Sequence, residues 1–269
     1  AGSTPLSGAT LTAVSGGVAI GNALSGANGY YYILSEAGDL DGNGAIVYLH
    51  DNANTGAAFG DGIGATGIHG LDVYRAAARL VTVEGSLSAT RNRYLAARGT
   101  YAHSDLGFLS SSDFANLTSS GHGLYLAASA ASYSLDTNLG SGGLLSLDSG
   151  GAFGISGTRQ LSAGGNLTVA DRLTWGDNAG LTLSTSNGGN VVLGDGIDAA
   201  NGSLTLSAAG SATSNGGVNL GVLNFTAGTW RQVAANLPSF SVADFRLSPG
   251  ATFMRALGGD GSVATPYRI

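Results

Sequence analysis

The feature that most constrains this chain is the spacing of its short apolar bursts. Leu145, Phe153, Leu161, Leu167, Leu173 and Leu181 follow one another at intervals of six to eight residues. Around them apolar and small polar residues alternate, as in Leu167-Thr168-Val169, Leu173-Thr174-Trp175 and Leu181-Thr182-Leu183, and Gly, Asn or Asp separates one burst from the next. Period-two alternation is the mark of a strand, and the separators carry turn chemistry. A strand of three to five residues with a tight corner fills such a unit. Three units predict a coil of roughly twenty residues, the size of a solenoid repeat. A β-sandwich or barrel is the competing reading, but strands there usually run five or six residues and are joined by hairpins. The expected fold is all-β, a parallel β-helix, with outward Ser, Thr and Asn bonding along its axis.

Similar bursts occur at Thr10–Val14, Tyr30–Leu34, Ala45–Leu49, Leu80–Val83, Leu124–Leu126 and Val222–Phe225. Leu80, Leu87 and Tyr94 are seven apart, which continues the strand-and-corner rhythm. Arg75–Arg79 and its apolar flanks are expected to make a strand pair with a bend. Residues 50–70 and 98–123 are looser and Gly/Ser-rich, which predicts loops protruding from the coils. The last forty residues bring Trp230, Phe240, Phe245 and Phe253 and three of the four prolines. The expected division is a β-helix over 1–228, with loop insertions in its first half, and a C-terminal cap or junction to a following module over 229–269.

Composition agrees with strands and turns. Gly is 46 of 269 residues and Pro only 4, without a Gly-X-Y period, which excludes collagen. Hydrophobic residues at 43% against 10% charged argue against disorder. All eleven basic residues are Arg, and fifteen Asp stand against two Glu. Asp favours turns, where its short side chain bonds nearby backbone N–H groups, whereas Glu favours helices. A net charge of −6 with no basic cluster excludes nucleic acid as a partner. No apolar run is long enough to span a membrane as a helix. The absence of cysteine removes disulfides and thiolate metal sites. The start AGSTPLSG carries neither Met nor a signal-peptide pattern, so the chain reads as a segment of a longer protein, with any export signal upstream.

The runs NLTVADRLTW (166–175), LTLSTSNGGNVVLGDGI (181–197) and GSLTLSAAGS (202–211) resemble the filamentous-haemagglutinin family of large bacterial exoproteins. The tail LPSFSVADFRLSPGATFMRALGGDGSVATPYRI (237–269) is similar to a module that follows such stretches. The likeness is strongest over 140–269. It implies a right-handed parallel β-helix, export through an outer-membrane two-partner transporter, a secreted or cell-surface location, and roles in adhesion, aggregation or biofilm. No secretion-signal domain of the family is visible here, and none of its catalytic residues maps onto this chain.

Candidate chemistry gathers in residues 30–125. Asp39-Leu-Asp41-Gly-Asn43-Gly44-Ala45-Ile46 matches the front half of an EF-hand calcium loop. Asp39, Asp41 and Asn43 offer side-chain oxygens and Ala45 a carbonyl. His50 stands where a bidentate Glu is expected, and Asp51 is the substitute ligand. Flanking strands rather than helices favour a plain turn. Gly60-Asp61-Gly62-Ile63 is echoed by Gly194-Asp195-Gly196-Ile197, which reads as equivalent corners of distant coils. His50, His69, His103 and His122 lie far apart with no ligand spacing, so zinc is not expected. Tyr30 and Tyr32, on one side of a strand, are candidates to stack on a sugar. On alternating strands Arg91 and Arg93 would share a face fit for an anionic polysaccharide. No catalytic residue is assigned. The expected role is a rigid stalk and ligand-presenting surface of an adhesin, meeting extracellular polysaccharide or a host or bacterial surface. A carbohydrate-binding module and a polysaccharide lyase or hydrolase are the alternatives.

Overall fold

Along each burst one side chain turns inward and the next outward, so Leu167 and Val169 are buried and Thr168 half-buried. Parallel pairing then stacks like on like, and the chain winds into a right-handed parallel β-helix of about 9 turns. The computed structural model describes residues 5–36, 38–40, 42, 44–50, 53–62, 67–233 and 237–256.

The chain opens with β1 (Thr10–Ser15), β2 (Val18–Leu24), β3 (Ala45–Leu49), β4 (Ala57–Gly60) and β5 (Ala77–Thr82), followed by helix α1 (Leu87–Arg98). Three-faced coils follow. The first is β6 (Gly123–Ala128), β7 (Ser132–Leu135) and β8 (Leu139–Ser141). The second is β9 (Leu145–Asp148), β10 (Ala152–Ile155) and β11 (Thr158–Ala163). The third is β12 (Leu167–Val169), β13 (Arg172–Thr174) and β14 (Gly180–Thr185). After β15 (Val191–Leu193), two long strands, β16 (Ile197–Ser214) and β17 (Val218–Val233), bend through successive faces. β18 (Phe240–Leu247) and β19 (Thr252–Ala256) complete the described chain.

Register builds one apolar column on each face. Leu139, Leu161, Leu183, Leu206, Phe225 and Leu247 form one. Tyr133, Phe153, Leu173, Ile197, Val218 and Phe240 form the second. The third runs Ala57, Ala78, Leu124, Leu145, Leu167, Val191, Ala212, Trp230 and Phe253. A coil takes 20 residues from Phe153 to Leu173 and 24 from Leu173 to Ile197, so corners absorb insertions while the columns keep register. Each fully buried Leu contributes about 1.5–3 kcal/mol by leaving water. Outside the core, Asn166 Oδ1 accepts from Asn190 N at 2.9 Å, and Asn190 Oδ1 accepts from Ser211 N at 2.7 Å and from its hydroxyl at 2.8 Å. This polar ladder climbs three coils along the axis.

The first quarter departs from the expected coils. β1 pairs antiparallel with β2 and β3, and β3 antiparallel with β4. β4 then pairs parallel with β5, so this antiparallel sheet continues the third face of the solenoid. Tyr30–Leu34, expected as a strand, is not one: its Tyr31 and Ile33 pack against Leu11, Ala13, Val47 and Leu49 in a small second core. The expected strand pair around Arg75–Arg79 is a turn leading into β5 alone, with Ala76 at φ 51°.

Leu87 and Tyr94 are on a helix, not on strands. Ser86 accepts from Ala89 N at 3.2 Å as N-cap, and Gly99 stops the helix at φ 48°. Seven residues make two helical turns as readily as one strand and corner, so Leu87 and Tyr94 still share a buried face. Tyr94 meets Phe59 and Phe114 edge-on, at 5.8 and 5.5 Å between ring centroids. Much of the 98–123 segment, expected to protrude, folds inward as well: Leu106, Phe108, Leu109, Phe114 and Leu117 are buried with the main core. Helix and segment together cover the N-terminal mouth of the solenoid, where, among the described residues, faces one and two have no strand before β8 and β7.

At the other end, coil pairing runs straight through the boundary expected at residue 228, inside β17, into β18 and β19. Trp230 lies 5.9 Å from Phe240 and 5.8 Å from Phe253 between ring centroids, and Phe253 4.7 Å from Phe245. These aromatic rings fill the last coils.

Candidate functional site

The structure separates the residues expected to share a site. Tyr30 and Tyr32 are 71% and 85% exposed beside the antiparallel sheet, on a segment that is not a strand, while the Tyr31 hydroxyl donates to the Leu71 carbonyl. Burial, aided by Asp72, pushes the Tyr31 hydroxyl pKa up to about 12. Arg91 and Arg93 are on α1, not a strand, and side chains two apart on a helix do not face each other. Arg93 Nε donates to Glu84 at 2.9 Å and Nη1 donates to the Gly42 carbonyl, whereas Arg91 Nη2 reaches the Ser112 carbonyl at 3.4 Å. The expected Arg face therefore does not exist.

Of the expected calcium ligands, Asp41, Asn43 and Asp51 lie outside the described residues. Asp39 Oδ2 accepts from Glu36 N at 2.7 Å, closing a local turn, and Ala45 begins β3 opposite Gly60. Of the two Gly-Asp-Gly-Ile corners, Ile63 is outside the described residues. Phe59 and Leu193 stand in one column, so Asp61 and Asp195 do occupy equivalent corners. Their environments differ: Asp61 is buried against the cap, while Asp195 is exposed, 3.7 Å from Arg172.

Two surface features remain. One is a shallow groove running across coils at the corner between the first and third faces, lined among others by Asn116, Ser119, Ser120, Gly142, Gly164 and Asn187. Its floor is built: Asn187, left-handed at φ 50°, donates its Nδ2 to the Gly164 carbonyl at 2.9 Å. The hydroxyls of Ser119 and Ser120 at one end and the amide of Asn187 at the other, with glycine corners at Gly142 and Gly164 between them, can hydrogen-bond a polar chain laid across the coils.

The other joins residues that the sequence keeps far apart. His50 follows β3, and its Nδ1 lies 3.2 Å from the Thr12 hydroxyl on the neighbouring β1. His103 caps the 3-10 turn Ser104–Leu106, its Nδ1 accepting from Asp105 N at 3.2 Å. The two imidazoles come to 4.7 Å between centroids, and Asp105 Oδ2 is 3.4 Å from His103 Nδ1. Tyr48 stacks on His50 at 5.9 Å, and its hydroxyl is 2.8 Å from that of Tyr101. Burial raises the Tyr48 hydroxyl far above its ordinary value, with the Tyr101 hydrogen bond next in size, so it stays neutral. His50 is exposed, His103 half-buried and Asp105 buried. No local spacing announces this cluster, because an antiparallel strand end and a loop beyond α1 create it.

No family model matches this chain, and no curated protein or solved structure was found similar to it.

Proposed function

We propose that this chain is a shaft and display surface of a secreted or cell-surface bacterial adhesin, brought out by an outer-membrane two-partner transporter and contributing to attachment or biofilm. The observation that carries this reading is the run of continuous apolar columns, backed by the Asn166–Asn190–Ser211 ladder. At about 4.8 Å per coil, about 9 turns give a rod of ~40 Å. Contacts pass only between neighbouring coils, so length is gained without a larger core. The loop-bearing N-terminal end, with Tyr30 and Tyr32 exposed, is the part held out to a partner.

The groove along Ser119, Ser120, Gly164 and Asn187 supports a second reading, a carbohydrate-binding module. Beads coated with the whole chain and offered to polysaccharide-coated and bacterial surfaces test both. Attachment lost on Tyr30→Ala with Tyr32→Ala supports the display end. Attachment competed by soluble polysaccharide and lost on Ser120→Glu supports the groove. Beads that adhere to none of these surfaces overturn both readings.

A further inference from the structure

We propose that His50, His103 and Asp105 form a binding site for a divalent first-row transition ion of the zinc class, with one coordination position left open. The three residues offer ligand atoms that all lie within 4.8 Å of one another. Ligands about 2.0–2.2 Å from a tetrahedral zinc ion stand ~3.2–3.6 Å apart. His103 Nδ1 and Asp105 Oδ2, at 3.4 Å, already have that separation, and an ion on Nδ1 would take the lone pair that accepts from Asp105 N in the metal-free protein. His50 is the exposed member, its ligand atom within 4.8 Å of the other two, and it is the side chain that would have to shift inward on binding. Thr12 at its Nδ1 leaves Nε2 as the free nitrogen, the arrangement by which a neighbouring group orients a metal-binding imidazole.

A second, independent observation points to a cation. Asp105 is 2% exposed, and its Oδ1 is buried with no hydrogen-bond partner. A desolvated carboxylate with one oxygen lacking a donor is costly to fold, and a metal ion on Oδ2 lowers that cost by neutralising the charge the two oxygens share. The donor set selects the ion. Two imidazoles and one carboxylate suit zinc, cobalt or nickel, whereas calcium takes six to eight oxygens. The open side, where His50 meets solvent, has room for water or a ligand atom from a partner. Bound there, the ion would tie the end of β3 to the loop after α1 and fasten the N-terminal cap to the sheet.

The test uses the whole chain freed of metal by chelation. Zinc should raise its thermal midpoint in a saturable way that chelator reverses. Cobalt(II) should give a stoichiometric visible ligand-field band as strong as a tetrahedral ion's. His50→Gln, at an exposed position, should unfold at the wild-type midpoint without metal yet bind cobalt at least ~10-fold more weakly. His103→Gln should abolish the band. A His50→Gln protein that binds cobalt as tightly as wild type overturns the proposal. So does a wild-type protein with no cobalt band.

Discussion

Thr82 donates its hydroxyl hydrogen to Asp61 Oδ2 at 2.5 Å, joining the ends of two adjacent strands inside the cap. The Val83 N–H donates to Asp61 Oδ1 at 2.8 Å. Hydroxyl contacts carry the chain onward, from Thr82 to Thr90 at 2.9 Å and from Thr90 to Tyr133 at 2.8 Å. Asp61 therefore anchors a buried polar line that links β4, β5, α1 and β7.

Burial holds the Asp61 carboxyl above its ordinary value of 3.8, and the bonds from Thr82 and Val83 only partly offset it. With the folded pKa above the unfolded one, the folded state binds the proton more tightly. That contribution to stability is full below pH 3.8 and is lost as pH rises through the folded pKa. Urea unfolding of wild type and Asp61→Asn across this window should show the slope in wild type and its absence in the variant. Parallel profiles would remove Asp61 as the source. Asp61→Ala strands the Val83 N–H and should cost about 2–3 kcal/mol near neutral pH.

Asp136, on the corner after β7, bolts the helix to the coils. Its Oδ1 accepts from Ser88 N at 2.8 Å and its Oδ2 from the Ser88 hydroxyl at 2.5 Å, in the first turn of α1. A carboxylate there satisfies an otherwise unpaired N–H and faces the positive end of the helix dipole. Asp136→Ala should cost about 1–2 kcal/mol, and Asp136→Asn less. Amide hydrogen exchange should quicken first at the start of α1. Uniform quickening over all coils would count against a local cap.

Two glycines make a paired prediction. A Cβ at Gly140 would overlap the Ala115 carbonyl, where the segment before the first coil lies against β8. At Gly154 a Cβ meets nothing within 4 Å. Neither needs a positive φ, so space alone separates them. Gly140→Ala should lower the midpoint of thermal unfolding by several degrees, while Gly154→Ala should leave it unchanged or raise it slightly, through a less flexible unfolded chain. Equal effects would mean that the 115–140 contact gives way freely.

The coils were legible because each burst repeats a local rule. Leu145, Phe153, Leu161, Leu167, Leu173 and Leu181 are all buried, one to a strand. The cap was legible only in part. Ser86 before Leu87 and Gly99 after Arg98 are ordinary start and stop signals for a helix. The seven-residue interval of Leu80, Leu87 and Tyr94 fits a strand and corner equally well, so on that interval alone the helix is not visible. The His50–His103–Asp105 cluster was not legible, since 53 residues separate its histidines and no motif spans a contact made by tertiary folding. The Arg91–Arg93 face failed with the strand on which it depended.

The columns make the last prediction. Leu183 and Leu247 occupy the same column, but Leu183 is fully buried in a middle coil, and Leu247 is 48% exposed in the last described coil. Leu183→Ala removes a side chain enclosed above and below by Leu161 and Leu206, leaving a cavity that fixed backbones cannot close. It should cost about 2–5 kcal/mol, against less than about 1 kcal/mol for Leu247→Ala. Because coils touch only their neighbours, amide exchange in the Leu183→Ala protein should quicken most at Leu161, Leu183 and Leu206 and fade with distance along the rod. If exchange quickens equally at Leu124 and Phe225, the solenoid opens as one cooperative body and the nearest-neighbour account fails.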